Sequence, residues 1–219
     1  PDFAWDAIRA SWKRGDRNLY GRFDFAYDGK TPPKLLEYNA DTPTALFETG
    51  YFQWNWLEEQ MAAGVLPRGA DQFNSVHERL VEAFRDLKGG APYFLHLTCM
   101  AGPEDDLGTL SYLAECAGQA KLPTHIVMIE DIGLTPEGNF VDENNKPIET
   151  LFKLYPWEWM LKEEFDQAAT ASKTHFVEPI WKMLLSNKGL LPFLHEAAPG
   201  HPNLLPAFFE DDPRIAALG

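Results

Sequence analysis

Between Phe3 and Lys13 the apolar residues Trp5, Ile8 and Trp12 recur at helical spacing, which predicts an amphipathic helix ending in the turn Arg14-Gly15-Asp16. The period then drops to two. Arg22-Phe23-Asp24-Phe25-Ala26-Tyr27 puts Phe23, Phe25 and Tyr27 on one face and Arg22 and Asp24 on the other. Asp28-Gly29 is a turn signal and Lys34 to Tyr38 reads as the returning strand, so a β-hairpin is expected. Helical periodicity resumes from Thr44 to Met61, with Thr42 or a neighbour as its cap, and again from Asp71 to Leu87.

Tyr93 to Cys99 is a short apolar run bounded by Gly89-Gly90 and Ala101-Gly102-Pro103, as a buried strand would be. A helix over Asp105 to Ala120 and a strand over His125 to Ile129 complete a β-α-β unit, for which parallel pairing is expected. Phe140-Val141-Asp142 and Thr150 to Leu154 flank the polar turn Glu143-Asn144-Asn145-Lys146 and read as a second hairpin. Helices are expected at Trp157 to Gln167 and from Pro179 to Leu194, and the Pro-rich tail from Pro199 should be irregular. The alternation predicts an α/β chain with a parallel or mixed sheet, free of internal repeats and low-complexity tracts.

Composition narrows the picture. With 45% hydrophobic and 13% aromatic residues, 219 residues can bury a core, which excludes disorder as the main state. No run approaches the roughly 20 apolar residues of a membrane helix, and the first residues lack a signal-peptide pattern, so a cytoplasmic chain without a membrane partner is expected. Cys99 and Cys116 form no CxxC pattern, so neither a disulfide framework nor a zinc site is expected. The six histidines show no HExxH-like spacing, and all, His125 and His175 included, are read as structural. Trp54, Trp56, Trp157 and Trp159 are read as core or hinge packing. A net charge of −14 repels phosphate backbones, which argues against nucleic acid and suits metal ions or polyamines, though a merely soluble surface carries the same sign. The chain opens at Pro1 without methionine and reads as a piece of something longer.

The chemistry is concentrated on the first hairpin. If its strands pair through Asp28-Gly29, Arg22, Asp24, Glu37 and Asn39 converge on one surface. Two carboxylates and an amide oxygen are hard donors suited to Mg²⁺, which keeps waters and substrate phosphates in its shell, and the arginine would face phosphate oxygens. By pattern alone, alternating charges on a hairpin more often form a solvated face with weak ion pairs.

Longer strings change that balance. Gly21-Arg22-Phe23-Asp24-Phe25 and Leu35-Leu36-Glu37-Tyr38-Asn39-Ala40-Asp41-Thr42-Pro43-Thr44 resemble the signature of the glutathionylspermidine synthetase family and its acid–amine ligase relatives without an amidase domain. The likeness continues at Glu104-Asp105 with Thr109 and Tyr112, at Glu130 to Leu134, at Phe152 to Glu158 and at Ser186-Asn187-Lys188 with Leu190-Leu191-Pro192. It spans most of the chain. The resemblance implies an ATP-grasp ligase in which ATP phosphorylates a carboxylate, glutathione-like in the family, and a polyamine such as spermidine attacks the acyl phosphate.

Carried over by position, the resemblance implies that Arg22 contacts the nucleotide and the transferring phosphoryl group, that Asp24, Glu37 and Asn39 hold Mg²⁺, and that Lys188 binds ATP. Thr42, Thr44, Glu104 and Asp105 correspond to substrate contacts. No covalent protein nucleophile is required, so Cys99 is read as a buried small hydrophobe. Leu154 stands where the better-known synthetases are expected to have threonine, which would remove a donor from the peptide pocket. A second nucleotide lysine and a glycine-rich loop are expected beyond Gly219, so residues 1–219 read as a partial catalytic region with an incomplete nucleotide lobe, inactive alone. Two other classes fit the same residues: a pseudo-ligase that binds peptide or polyamine without chemistry, and an ATP-independent hydrolase that uses Asp24 and Glu37 to hold an activating metal.

Overall fold

A computed structural model of the chain describes residues 1–72, 74–88 and 94–217. Gly89-Gly90, Tyr93 and Gly219, which figure in the sequence reading, lie outside them. Helix α1 (Trp5–Arg14) follows a 3-10 turn and ends at Gly15, whose φ of 67° suits a residue without a Cβ. Its inward face is Ile8 and Ser11, whereas Trp5 and Trp12 are exposed. The expected Trp5-Ile8-Trp12 stripe is therefore not the buried one; Trp12 instead meets the edge of Trp181 at 5.1 Å between ring centroids.

The first hairpin forms as expected. Strands β1 (Arg22–Ala26) and β2 (Lys34–Asn39) pair antiparallel with Arg22 opposite Asn39, Phe23 opposite Tyr38 and Asp24 opposite Glu37, before a bulge shifts the register. The connection is longer than a two-residue turn, because Pro32 and Pro33 have no N–H for the ladder. Asp28 organises it, accepting hydrogen bonds from the backbone N–H groups of Lys30 and Thr31. Phe23 stacks on Tyr38 at 4.0 Å, and Gly21 is needed beside it, because a Cβ there would lie 2.5 Å from the Tyr38 ring.

Beyond Ala45 the chain passes through a π-helical stretch, Glu48–Phe52, into α2 (Gln53–Ala62). Neither segment has a side-chain cap, so Thr42 does not serve as one. Helix α3 (Val76–Lys88) starts later than the pattern suggested, where Asn74 accepts a hydrogen bond from the Val76 N–H. Trp54 and Trp56 stay exposed, as does Trp159; only Trp157 of the four tryptophans read as packing residues is fully buried.

Strand β3 (Leu95–Cys99), helix α4 (Glu104–Gln119) and strand β4 (Thr124–Ile126) make the expected parallel β-α-β unit. The second hairpin differs. Strand β5 (Gly133–Leu134) pairs antiparallel with β6 (Phe140–Val141), while β7 (Thr150–Leu154) runs parallel to β3 and to β8 (His175–Val177), giving a four-stranded sheet ordered β4-β3-β7-β8. Every residue of β7 is buried, which a sheet covered on both faces requires and a two-stranded ribbon cannot provide. After α5 (Trp157–Met160), α6 (Asp166–Ala171) and a 3-10 segment, Ile180–Leu185, the chain ends in α7 (Leu190–Ala197) and an irregular tail with one 3-10 turn. Two long helices were expected across these segments; both are broken. Ser186 and Asn187 interrupt the second by spending their side chains on nearby and distant backbone N–H groups.

Alternation along the strands divides the core. Leu95, Leu97, Cys99, Phe152 and Leu154 pack toward α3 and α4, with Phe84, Leu113 and Cys116. Leu151 turns the other way, toward Ile8, Trp157, Met160 and Ile180. Cys99 is fully buried, and burial pushes its thiol up to about 11, as an inert core residue. Leu154 belongs to this core, so it does not line an open peptide pocket. Among the described residues no helix is long and apolar enough to cross a membrane. Since Phe152 is fully buried at the centre of the sheet, Phe152→Ala should destabilise the fold by about 3–5 kcal/mol, measured by denaturant unfolding.

Candidate metal and nucleotide site

Cross-strand register brings Arg22, Asp24, Glu37 and Asn39 to one face of the hairpin. Arg22 grips Asp24 in a fork, with Nε donating to Oδ1 at 2.8 Å and a terminal N–H to Oδ2 at 3.1 Å. Its other terminal nitrogen donates to Thr44 Oγ1 at 2.6 Å. The Asn39 amide donates to Glu37 Oε1 at 3.0 Å and reaches Asp24 Oδ2 at 3.4 Å. Lys188 comes from a turn more than a hundred residues away, and its Nζ stands 2.6 Å from Glu37 Oε2.

These partners set the ionisation. The Arg22 hydrogen bonds hold the Asp24 carboxyl below its usual range, and Lys188, followed by Asn39, does the same for Glu37. Arg22 is held the more firmly protonated by Asp24. Two ionised carboxylates and an amide on a partly exposed face can hold a hard cation, the amide by turning its oxygen inward, with cations at either side for phosphate oxygens. Thr42 sits half-buried in the following turn and makes no hydrogen bond to these groups. Glu104 and Asp105 are exposed on the first turn of α4, at the carboxyl end of β3, and no hydrogen bond or ion pair joins them to the hairpin. A cleft of about 710 Å³ lies between α1 and the 169–180 region and is lined by none of the hairpin carboxylates.

The supports beneath the hairpin are residues that pattern reading passed over. Directly after β2, buried Asp41 accepts from Lys153 Nζ at 2.5 Å and from the Trp157 N–H at 2.8 Å. Lys153 also donates to the Tyr155 carbonyl and lies over the Trp157 ring. Ser186 Oγ accepts from the N–H groups of Ala40 and Asp41 at 2.9 and 2.6 Å. Directly before β1, buried Glu178 accepts from the N–H groups of Leu19 and Tyr20, and Lys182 joins Glu178 at 2.5 Å and the Tyr20 carbonyl at 2.6 Å. Burial pushes Lys153 and Lys182 down and Glu178 up, since each charge has left water. One signal was available: a lone lysine inside Leu151-Phe152-Lys153-Leu154 demands an anion.

The fold is shared with solved structures. The chain superposes with TM-score 0.55 on a protein provisionally named a γ-glutamylcysteine synthetase from Methylobacillus flagellatus, at 13% identity, covering 95% of this chain and 50% of that one. A glutathione synthetase-like effector from Globodera pallida gives 0.54 at 16% identity, with 91% and 51% covered. Residues 1–217 match the family model described as glutathionylspermidine synthase preATP-grasp, and the chain belongs to that family. It is 50% identical over 207 residues to a Haemophilus influenzae protein provisionally named an acid–amine ligase, covering 92% of this chain and 51% of that protein. Trypanothione synthetase of Crithidia fasciculata is 29% identical over all of this chain and 36% of its own length. The bifunctional glutathionylspermidine synthetase/amidase of Escherichia coli is 23% identical, with all of this chain and 38% of the enzyme covered. The chain thus spans from about a third to half the length of these relatives.

Two measurements test the geometry. Asp41→Ala leaves the Lys153 charge buried without its partner and should cost about 3–5 kcal/mol of stability in thermal or denaturant unfolding, with Asp41→Leu/Lys153→Met less destabilised than the single change. Because Lys188 favours the charged form of Glu37, Lys188→Ala should bring the Glu37 midpoint back up toward the usual glutamate range in a carboxyl NMR titration. An unchanged midpoint would mean the pair does not form in solution.

Proposed function

We propose that the complete protein is an ATP-dependent acid–amine ligase, and that this chain carries its magnesium-binding hairpin. The observation behind the proposal is the convergence of Arg22, Asp24, Glu37 and Asn39 on one face, with Lys188 reaching it from a separate segment. In this reading a carboxylate oxygen attacks the terminal phosphorus of ATP, ADP leaves, and an amine nitrogen displaces phosphate from the resulting acyl phosphate to form an amide. Magnesium, when bound, supplies charge neutralisation for the phosphate oxygens. Asp24, Glu37 and Asn39 hold it, Arg22 steadies the transferring group, and Lys188 leaves Glu37 for the nucleotide. The acid is a thiol-peptide or related carboxylate and the amine a polyamine, whose positive charge suits a chain of net charge −14. Thr42, Thr44, Glu104 and Asp105 are the proposed substrate contacts, Glu104 and Asp105 by virtue of their exposed carboxylates. Residues 1–219 alone are proposed to lack turnover.

The test uses the full-length protein with ATP, Mg²⁺, a panel of thiol-peptides and polyamines, and mass spectrometry of products. Asp24→Asn and Glu37→Gln should each lower turnover by about a hundredfold or more and raise the Mg²⁺ concentration needed, with Tm little changed. Wild-type turnover in both variants would remove the hairpin from the chemistry.

A further inference from the structure

At the opposite end of the sheet lies a second cluster that the ligase reading does not use. His125 Nε2 and the carboxylates of Asp142 and Glu143 offer ligand atoms all within 4.8 Å of one another. His96 adjoins the group through Asp142. It is the register partner of His125 on parallel strands, so both imidazoles emerge from one face of the sheet, with ring centroids 5.8 Å apart. Its Nε2 stands 3.5 Å from Asp142 Oδ2, and its side chain is only 4% exposed. Among the described residues neither His96 ring nitrogen has a hydrogen-bond partner. A buried imidazole with both nitrogens unsatisfied, aimed at a carboxylate, marks that carboxylate as part of an unfinished polar site.

We propose that His125, Asp142 and Glu143 form a binding site for a zinc-class divalent cation, separate from the magnesium hairpin, with His96 backing Asp142. Imidazole paired with carboxylate is a donor set for Zn²⁺ and its first-row neighbours, whereas Mg²⁺ is served by oxygen alone. Four-coordinate zinc with bonds of about 2.0–2.2 Å sets its ligand atoms about 3.3–3.6 Å apart. His125 and Glu143, now in contact at 2.8 Å, would open by about half an ångström on that geometry, which their part-exposed side chains permit. Asp142 is pre-oriented: its Oδ1 accepts from the Asn144 and Lys146 N–H groups, leaving Oδ2 facing His96. Glu143 Oε1 also accepts from the Asn144 amide, which holds it toward the same point.

The site ties the start of β4 to the turn after β6. Three protein ligands, with water in the fourth position, anchor the 140–146 turn against the sheet's amino-terminal end. Cysteine usage does not bear on such a site, since it needs no thiolate.

The experiment uses the full-length protein without a histidine tag, stripped with chelator and titrated calorimetrically with Zn²⁺ in excess Mg²⁺. The wild type should take up one equivalent and gain in Tm. His125→Ala and Glu143→Gln, at part-exposed positions that spare the core, should weaken uptake at least tenfold and lose the Tm gain, while Asp24→Asn should leave uptake intact. Co²⁺ in place of Zn²⁺ should give tetrahedral visible bands in the wild type and not in His125→Ala. Absence of zinc uptake by the wild type overturns the proposal. So does unchanged uptake in a folded His125→Ala, or loss of uptake in a folded Asp24→Asn.

Discussion

Two buried ion pairs hold the hairpin by its roots, and the rest of the site depends on them. Asp41 and Lys153 fix the chain as it leaves β2; Glu178 and Lys182 fix it as it approaches β1. A two-stranded ribbon is marginal by itself in water. Here its pairing is held at both ends, because the Leu19 and Tyr20 N–H groups before β1 donate to buried Glu178 and the Asp41 side chain after β2 is locked between Lys153 and the Trp157 N–H. Removing one member of such a pair strands the other in a medium that cannot solvate it.

The same bonds explain how distant segments meet. Lys153 belongs to the central strand β7, and Ser186 belongs to the segment that carries Lys188. Because Ser186 accepts from Ala40 and Asp41, the turn at Asn187-Lys188 is fixed next to the hairpin, and Lys188 reaches Glu37. The break between the 3-10 segment and α7 is thus part of the site. An uninterrupted helix over Pro179 to Leu194 would leave Ser186 bonding within its own turn and carry Lys188 away from this position.

Period-2 alternation from Arg22 to Tyr27 was sufficient to find the hairpin and its polar face, because strand geometry alone decides which residues share a side. The parallel β-α-β unit was legible for a similar reason. Misreadings fell where tertiary contacts override local pattern. Thr150 to Leu154 looked like half of a hairpin, yet its partners are Leu95–Cys99 and His175–Val177, each at least twenty residues distant. Trp5 and Trp12 sit at helical spacing but exposed, since the buried face of α1 is the one bearing Ile8 and Ser11. The proximity of His96 and His125 was not legible either, since they are 29 positions apart in sequence and become neighbours only once β3 and β4 pair.

Charge is therefore used at two depths with different consequences. The pairs beneath the hairpin are sealed from water, and breaking them costs several kcal/mol, so they remain closed whatever binds above. Lys188–Glu37 and Arg22–Asp24 lie where about a third of each carboxylate-bearing side chain is exposed, and water screens pairs of that kind until they are weak. A divalent cation can compete with contacts that weak. Lys188 and Arg22 can then turn toward an anionic partner while Asp24, Glu37 and Asn39 stay in register. The rigid pairs position the donors, and the weak ones keep them ionised until a ligand replaces the cations that hold them.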